Sequence, residues 1–155
     1  MKWRNMIMYD INFPIILPRM IKDAEIPYQY NEQEPLDNVA KIMETVTGNI
    51  SKECIAVCTL NASHRPLCIH FIGQSIDSIH IPDIFRVAVL SGAAGVVVAH
   101  KYPENIPLSK GEDSFFMRIV DASLLIGISF FDYIVVSGKT NISRSRNDPD
   151  SAHKF

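Results

Sequence analysis

The amino-acid sequence predicts a single α/β domain, a mixed β-sheet flanked by helices. Three observations carry that prediction. At 155 residues the chain has the size of one ordinary domain, long enough to bury roughly two thirds of its unfolded surface around one core. Apolar residues recur at helical spacing in some segments and as short β-branched runs in others. Two of the short runs, 94–99 and 130–136, are joined through a helical segment, which implies a crossover and a sheet that is at least partly parallel.

Residues 1–35 contain Pro14, Pro18, Pro27 and Pro35, a density that stops long helices and favours extended chain. This stretch reads as an arm packed on a domain that covers 36–138. Within the domain, Leu36, Val39, Ile42, Met43 and Val46 repeat at helical spacing, with Gly48 as a stop. Residues 53–60 and 67–72 are apolar and β-rich around a turn-like 61–66, which predicts an antiparallel pair whose loop carries His64 and Arg65. A second helix starts at Pro82, since proline is tolerated in a first turn, and runs to Gly92. The charge-free run 94–99 has the composition of a strand covered on both faces and ends at His100. A polar loop to about Gly111, a helix from about Ser114 to Leu125 and a strand over 130–136 complete the domain. From Lys139 the chain is polar and charged, and 139–155 is expected to fray as a flexible tail.

Apolar residues make up 47% of the chain and charged residues 21%, a balance that argues for a globular protein and against a disordered or membrane-embedded one. The formal charge of −2 supplies no global field to draw it to nucleic acid or anionic lipid. Cys54, Cys58 and Cys68 are odd in number and lie in apolar runs, so they read as small hydrophobes and not as a disulfide framework or a zinc site. The apolar stretch after Lys2 and Arg4 is broken by Tyr9, Asp10, Asn12 and two prolines, which fits neither a signal peptide nor a spanning helix. A cytoplasmic location is the default.

Chemistry is concentrated in the segment from His100 to Asp113. It lies just past the end of a buried strand, where open α/β sheets tend to bind ligands. The segment resembles the motif of the JAB/MPN metalloproteases, and of the RadC-like proteins among them: an upstream glutamate, HxHP after a buried strand, then a serine and an aspartate at the mouth of a helix. Other segments extend the likeness. Glu53 opens a strand, His80–Ile81–Pro82–Asp83 resembles a histidine-proline-arginine-glutamate helix start, and Leu125–Ile126–Gly127–Ile128 with Asp132 and Tyr133 resembles "LLGI…DH". The likeness covers about 36–138 and implies a three-layer domain of the JAB/MPN, cytidine-deaminase-like kind.

In that family two histidines and the aspartate hold zinc, the glutamate takes a proton from the zinc-bound water, and the serine supports the charge that develops on the attacked carbonyl. By resemblance, His100 takes the place of the first ligand, Glu53 of the base and Ser109 of the serine. The second ligand position holds Tyr102, and a phenol with a reference pKa near 10 binds metal poorly at neutral pH. The acidic position is filled by Asp113 when counted from His100, or by Glu112 when counted from Ser109. Lys101 sets a cation beside the ligand positions, and Glu104 and Asn105 replace the expected small residues. The resemblance therefore implies a RadC-like protein with a degraded zinc site, weak or absent metal binding, and a role in binding a peptide or protein partner. Two alternatives stand beside it: an active zinc-dependent peptidase or isopeptidase using His100, an acid and His80 or Tyr102, and a protein associated with DNA repair or mobile elements.

The same residues also have plain structural uses. His100 at a strand end can hydrogen-bond a carboxylate such as Glu53 or Asp113. Ser109 and Glu112 have the spacing of a helix capping box, and Asp113 suits a first helical turn. His64, His70 and His80 lack ligand-spaced partners and are expected at the surface or bonded to backbone. The tail has Lys139, Arg144, Arg146 and Lys154 against Asp148 and Asp150 without interleaved aromatics, a weak signal for DNA.

Overall fold

A computed structural model of the protein describes residues 33–102 and 111–136, the backbone of 137 and 140–143, and positions 24, 25, 27–29 and 31. Helix α1 spans Pro35–Gly48, with proline in its first turn, where the missing N–H costs nothing. Strands β1 (Cys54–Leu60) and β2 (Pro66–Gly73) form the expected antiparallel pair. A short 3₁₀ turn, Ile76–Ser78, leads into α2 (Ile81–Ser91). Strand β3 (Gly95–Tyr102), helix α3 (Gly111–Ile126), strand β4 (Ser129–Ser137) and strand β5 (Thr140–Ser143) complete the order of elements.

The strands form one sheet in the order β2-β1-β3-β4-β5. β3 and β4 are parallel, joined through α3, and the other neighbours are antiparallel. The sheet is therefore mixed, as its sequence predicts. Val39 and Met43 of α1 pack on Ala56, Cys58, Val97, Ala99 and Ile134 on one face. Residues of α2 and α3, among them Ile84, Phe85, Phe115 and Ile119, pack on Ile55, Val57, Val96, Val98 and Val135 on the other. All seven residues of β1 are buried, as expected for a strand covered on both faces.

Two local irregularities mark the unit formed by β3, α3 and β4. The register of β3 against β4 passes from Val96↔Phe130 to Val97↔Asp132, so Phe131 is an inserted residue and β4 carries a bulge. Its ring lies over Gly95, where an added Cβ would come within 2.0 Å of Phe131. The second is the close of α3 at Gly127, whose φ of 76° is left-handed and whose N–H reaches Ser123 O at 2.9 Å.

The structure departs from the sequence expectations at three boundaries. β3 continues past His100 to Tyr102, because Lys101 and Tyr102 still pair with β4. α3 starts at Gly111, so Glu112 and Asp113 belong to its first turn. Thr140–Ser143, expected to fray, pair with β4 as an edge strand, which backbone hydrogen bonds alone can hold. No helix among the described residues is long and apolar enough to cross a membrane. The expected packing of the arm concerns residues that for 1–23 lie outside those described; nearer the domain, Tyr28 donates to Asn38 Oδ1 at 2.7 Å.

Candidate functional site

The carboxyl ends of the parallel strands β3 and β4 meet the first turn of α3, and the side chains gathered there are mostly buried. Residues alternate across a strand, so His100 and Tyr102 share the face covered by α2 and α3, while Lys101 faces α1. The rings of His100 and Tyr102 stack with centroids 4.1 Å apart. On α3, neighbouring residues point about 100° apart. Glu112 turns inward, 1% exposed, and Asp113 outward to solvent. The bulge at Phe131 shifts the phase of β4, so that Tyr133 shares the inner face with His100. Glu53 precedes β1, and the antiparallel pairing of Ile55 with His100 brings it to the imidazole.

Glu112 is the hub. Its Oε1 lies 2.5 Å from His100 Nδ1 and accepts the Tyr102 hydroxyl, and its Oε2 accepts the Tyr133 hydroxyl. Tyr133 Oη is also 3.2 Å from His100 Nδ1. The other ring nitrogen, His100 Nε2, lies 2.7 Å from Glu53 Oε1. Two carboxylates thus bracket one imidazole, so a proton must sit on each ring nitrogen or be shared with the facing oxygen. Burial by itself would raise the Glu112 pKa, but hydrogen bonds from His100, Tyr102 and Tyr133, with the charge of His100, hold it below the usual carboxylate range. Glu53, whose side chain keeps 30% exposure, links the cluster to solvent. The arrangement can hold an ionised carboxylate in the interior and pass a proton between Glu112 and Glu53 through the imidazole.

Of the residues singled out in the sequence, the structure brings together His100, Glu53, Glu112 and Tyr102. Asp113 is one residue out of phase and faces away. Ser109 lies outside the described residues, as do Lys139, Arg144, Arg146 and Lys154 of the tail. Lys101 does not sit beside the ligand positions: strand alternation sends it to the opposite face, where Nζ donates to Gly48 O at 3.2 Å and to Ile50 O. His80 stands just before the first turn of α2 without a capping hydrogen bond from its side chain and is exposed, His70 is exposed, and His64 packs edge-on to Phe131 with centroids 4.5 Å apart. Tyr133 is the member that sequence reasoning passed over. Its signal was present, since it stands where the compared segment has histidine, but a bulge was needed to aim it inward. Among the described residues no group of three His, Cys, Asp or Glu side chains is arranged to hold a metal ion.

The described geometry sits within a segment that matches a family model: residues 33–148 match the RadC-like JAB domain. The chain belongs to the RadC-like JAB domain family. Curated relatives of this RadC-like JAB domain include a UPF0758 protein of Carboxydothermus hydrogenoformans, 32% identical over 112 residues, which are 69% of this chain and 49% of that protein. A UPF0758 protein of Alkaliphilus metalliredigens is 28% identical over 104 residues, 64% of this chain and 45% of its own length. One of Thermotoga maritima is 37% identical over 60 residues, 38% of this chain and 27% of its own. The chain thus spans about half the length, or less, of the curated relatives it matches.

Proposed function

We propose that this RadC-like JAB domain acts by binding a peptide or protein and not by zinc-dependent hydrolysis. One observation carries the reading: Glu112 accepts hydrogen bonds from Tyr102, Tyr133 and His100, so the atoms that would face a metal ion face one another. Zinc at an open hydrolase site needs imidazole and carboxylate lone pairs turned toward a common point, with one position left for water. Here both nitrogens of the single histidine are engaged by carboxylates, and the second nitrogen donor is replaced by a phenol that donates its proton. These residues do not fit a tetrahedral zinc ion. A role for His80 as the missing ligand has no support, because it is exposed at the start of α2.

The test is elemental analysis of protein purified without chelator, incubated with zinc and desalted, beside His100→Ala and a Tyr102→His/Glu112→Asp variant whose folding is checked by circular dichroism. The expected result is no stoichiometric zinc in the unaltered protein. Near-stoichiometric zinc that disappears in His100→Ala would overturn the reading, and Glu53 would become the residue to test as base.

A further inference from the structure

Strand β2 is an edge: among the described residues nothing pairs with it on the side away from β1. Such a strand presents a row of unpaired N–H and C=O groups, which proteins protect with charge, bulges or a covering segment. Pro66–Gly73 holds no Lys, Arg, Asp or Glu. Register shifts lie near its two ends, and between them residues 68–71 form a regular run opposite 56–59. Side chains alternate along that run. Ile69 packs on the cluster beneath α1, and Phe71, opposite Ala56 on the same face, is 44% exposed. Helix α1 lies over β1, β3 and β4, so Phe71 carries the apolar face out beyond the helix that covers it.

We propose that residues 7–13 of the same chain dock on this edge as an added strand, antiparallel to β2. Sequence, reach and side-chain complementarity point to that occupant. Ile7, Tyr9, Ile11 and Phe13 alternate with Met8, Asp10 and Asn12, the pattern of a strand with one buried face. Pro14 follows, and proline cannot continue a paired strand. Tyr28 is held at the start of α1 by Asn38, and the chain from Phe13 to Tyr28 can span about 50 Å. A strand beside β2 lies three strand spacings, about 15 Å, from β3. Direction follows from α1, which ends beside Lys101, the partner of Cys54 on β1. Its start is therefore toward Leu60 and Pro66, and chain arriving from there meets the Pro66 end of β2 first. With Asp10 opposite the exposed His70, Ile11 faces Ile69 and Tyr9 faces Phe71 on the apolar side, while Asn12 faces Cys68 on the other. A slip of one residue would turn Tyr9 and Ile11 to the wrong face. The opposite edge, Thr140–Ser143, is too short and has only Ile142 as an apolar residue. None of these residues belongs to the Glu112 cluster, so the docking stands or falls independently of the zinc reading.

The native Cys68 reports the contact. Opposed Cβ atoms of an antiparallel pair stand about 4.5–5.5 Å apart, which small shifts bring within reach of a disulfide. Asn12→Cys in the full chain, oxidised at low concentration, is expected to link to Cys68 within one chain, as read by peptide mass mapping and a single-chain mass in denaturant. Cys54 and Cys58 are buried and compete little. Ile11→Cys, on the opposite face, is expected not to link. Ile11→Asp is expected to speed hydrogen exchange at the outward amides of β2 by about tenfold or more, while β1 and β3 remain the slowest strands. No link from Asn12→Cys, equal linking from Ile11→Cys, or links formed only between chains would overturn the proposal. So would exchange in β2 indifferent to Ile11→Asp.

Discussion

At the residue scale the chain's unusual decision is to bury a glutamate and satisfy it three times. An ionised carboxylate is costly to bury unless charge-assisted hydrogen bonds replace its water, and His100, Tyr102 and Tyr133 do so for Glu112. Removing the acceptor would orphan all three donors. Glu112→Ala is thus expected to destabilise the fold by about 3 kcal/mol or more, whereas Tyr133→Phe, which removes the donor to Oε2 but leaves Oε1 bonded to His100 and Tyr102, should cost less, about 1–3 kcal/mol. Urea unfolding of the two variants measures the difference. The pH dependence comes from the sign of the Glu112 shift. Its pKa in the folded state lies below the unfolded value of about 4.3, so its contribution is fully present at neutral pH and is lost as pH falls below about 4. Glu112→Gln should flatten that part of the stability profile, and an unchanged acid limb in the variant would contradict the assignment.

At the element scale, small departures from regularity set where side chains go. The bulge at Phe131 changes which residues of β4 face α3, and it is paired with Gly95, the position its ring covers. Gly95→Ala would drive a methyl group into that ring, an overpacking expected to cost about 1–3 kcal/mol. It should also lower protection along β4, as read by hydrogen exchange. On the other face Lys101 donates to carbonyls at and just beyond the end of α1. A cation there both satisfies orphan acceptors and opposes the negative end of the helix dipole. Lys101→Met is expected to lower stability by about 1 kcal/mol without altering the His100 cluster, which thermal unfolding and the acid limb would separate.

At the scale of the molecule, the sheet is held from its middle. β1 and β3 are covered on both faces, whereas β2 is an edge strand with Leu67 and Phe71 exposed. Amides of β1 and β3 should therefore exchange most slowly and the outward amides of β2 much faster, because local opening at an edge exposes little buried surface. The same architecture gathers the cluster. Four segments distant in sequence end on one side of the sheet: the approach to β1, the ends of β3 and β4, and the start of α3. The crossover between β3 and β4 is what lets Glu112 reach His100 across the top of their pairing.

Hydrophobic periodicity in the sequence determined α1 through β4, their order and the mixed sheet, since side-chain spacing and turn residues are local properties. The resemblance to the JAB/MPN motif marked His100, Tyr102, Glu112 and Glu53 as candidates before any contact was visible. What only the tertiary structure decided was direction. Glu112 and Asp113 are adjacent acids that spacing alone leaves tied, and the inward face of α3 picks Glu112. Lys101 is beside His100 in sequence and on the far side of the sheet in space. Tyr133 joins the cluster only because one inserted residue shifts the phase of β4, and Thr140–Ser143 becomes a strand because β4 offers a free edge. The physical reason is common to all four: a residue's facing depends on register and helical phase, which are fixed when elements pack against one another.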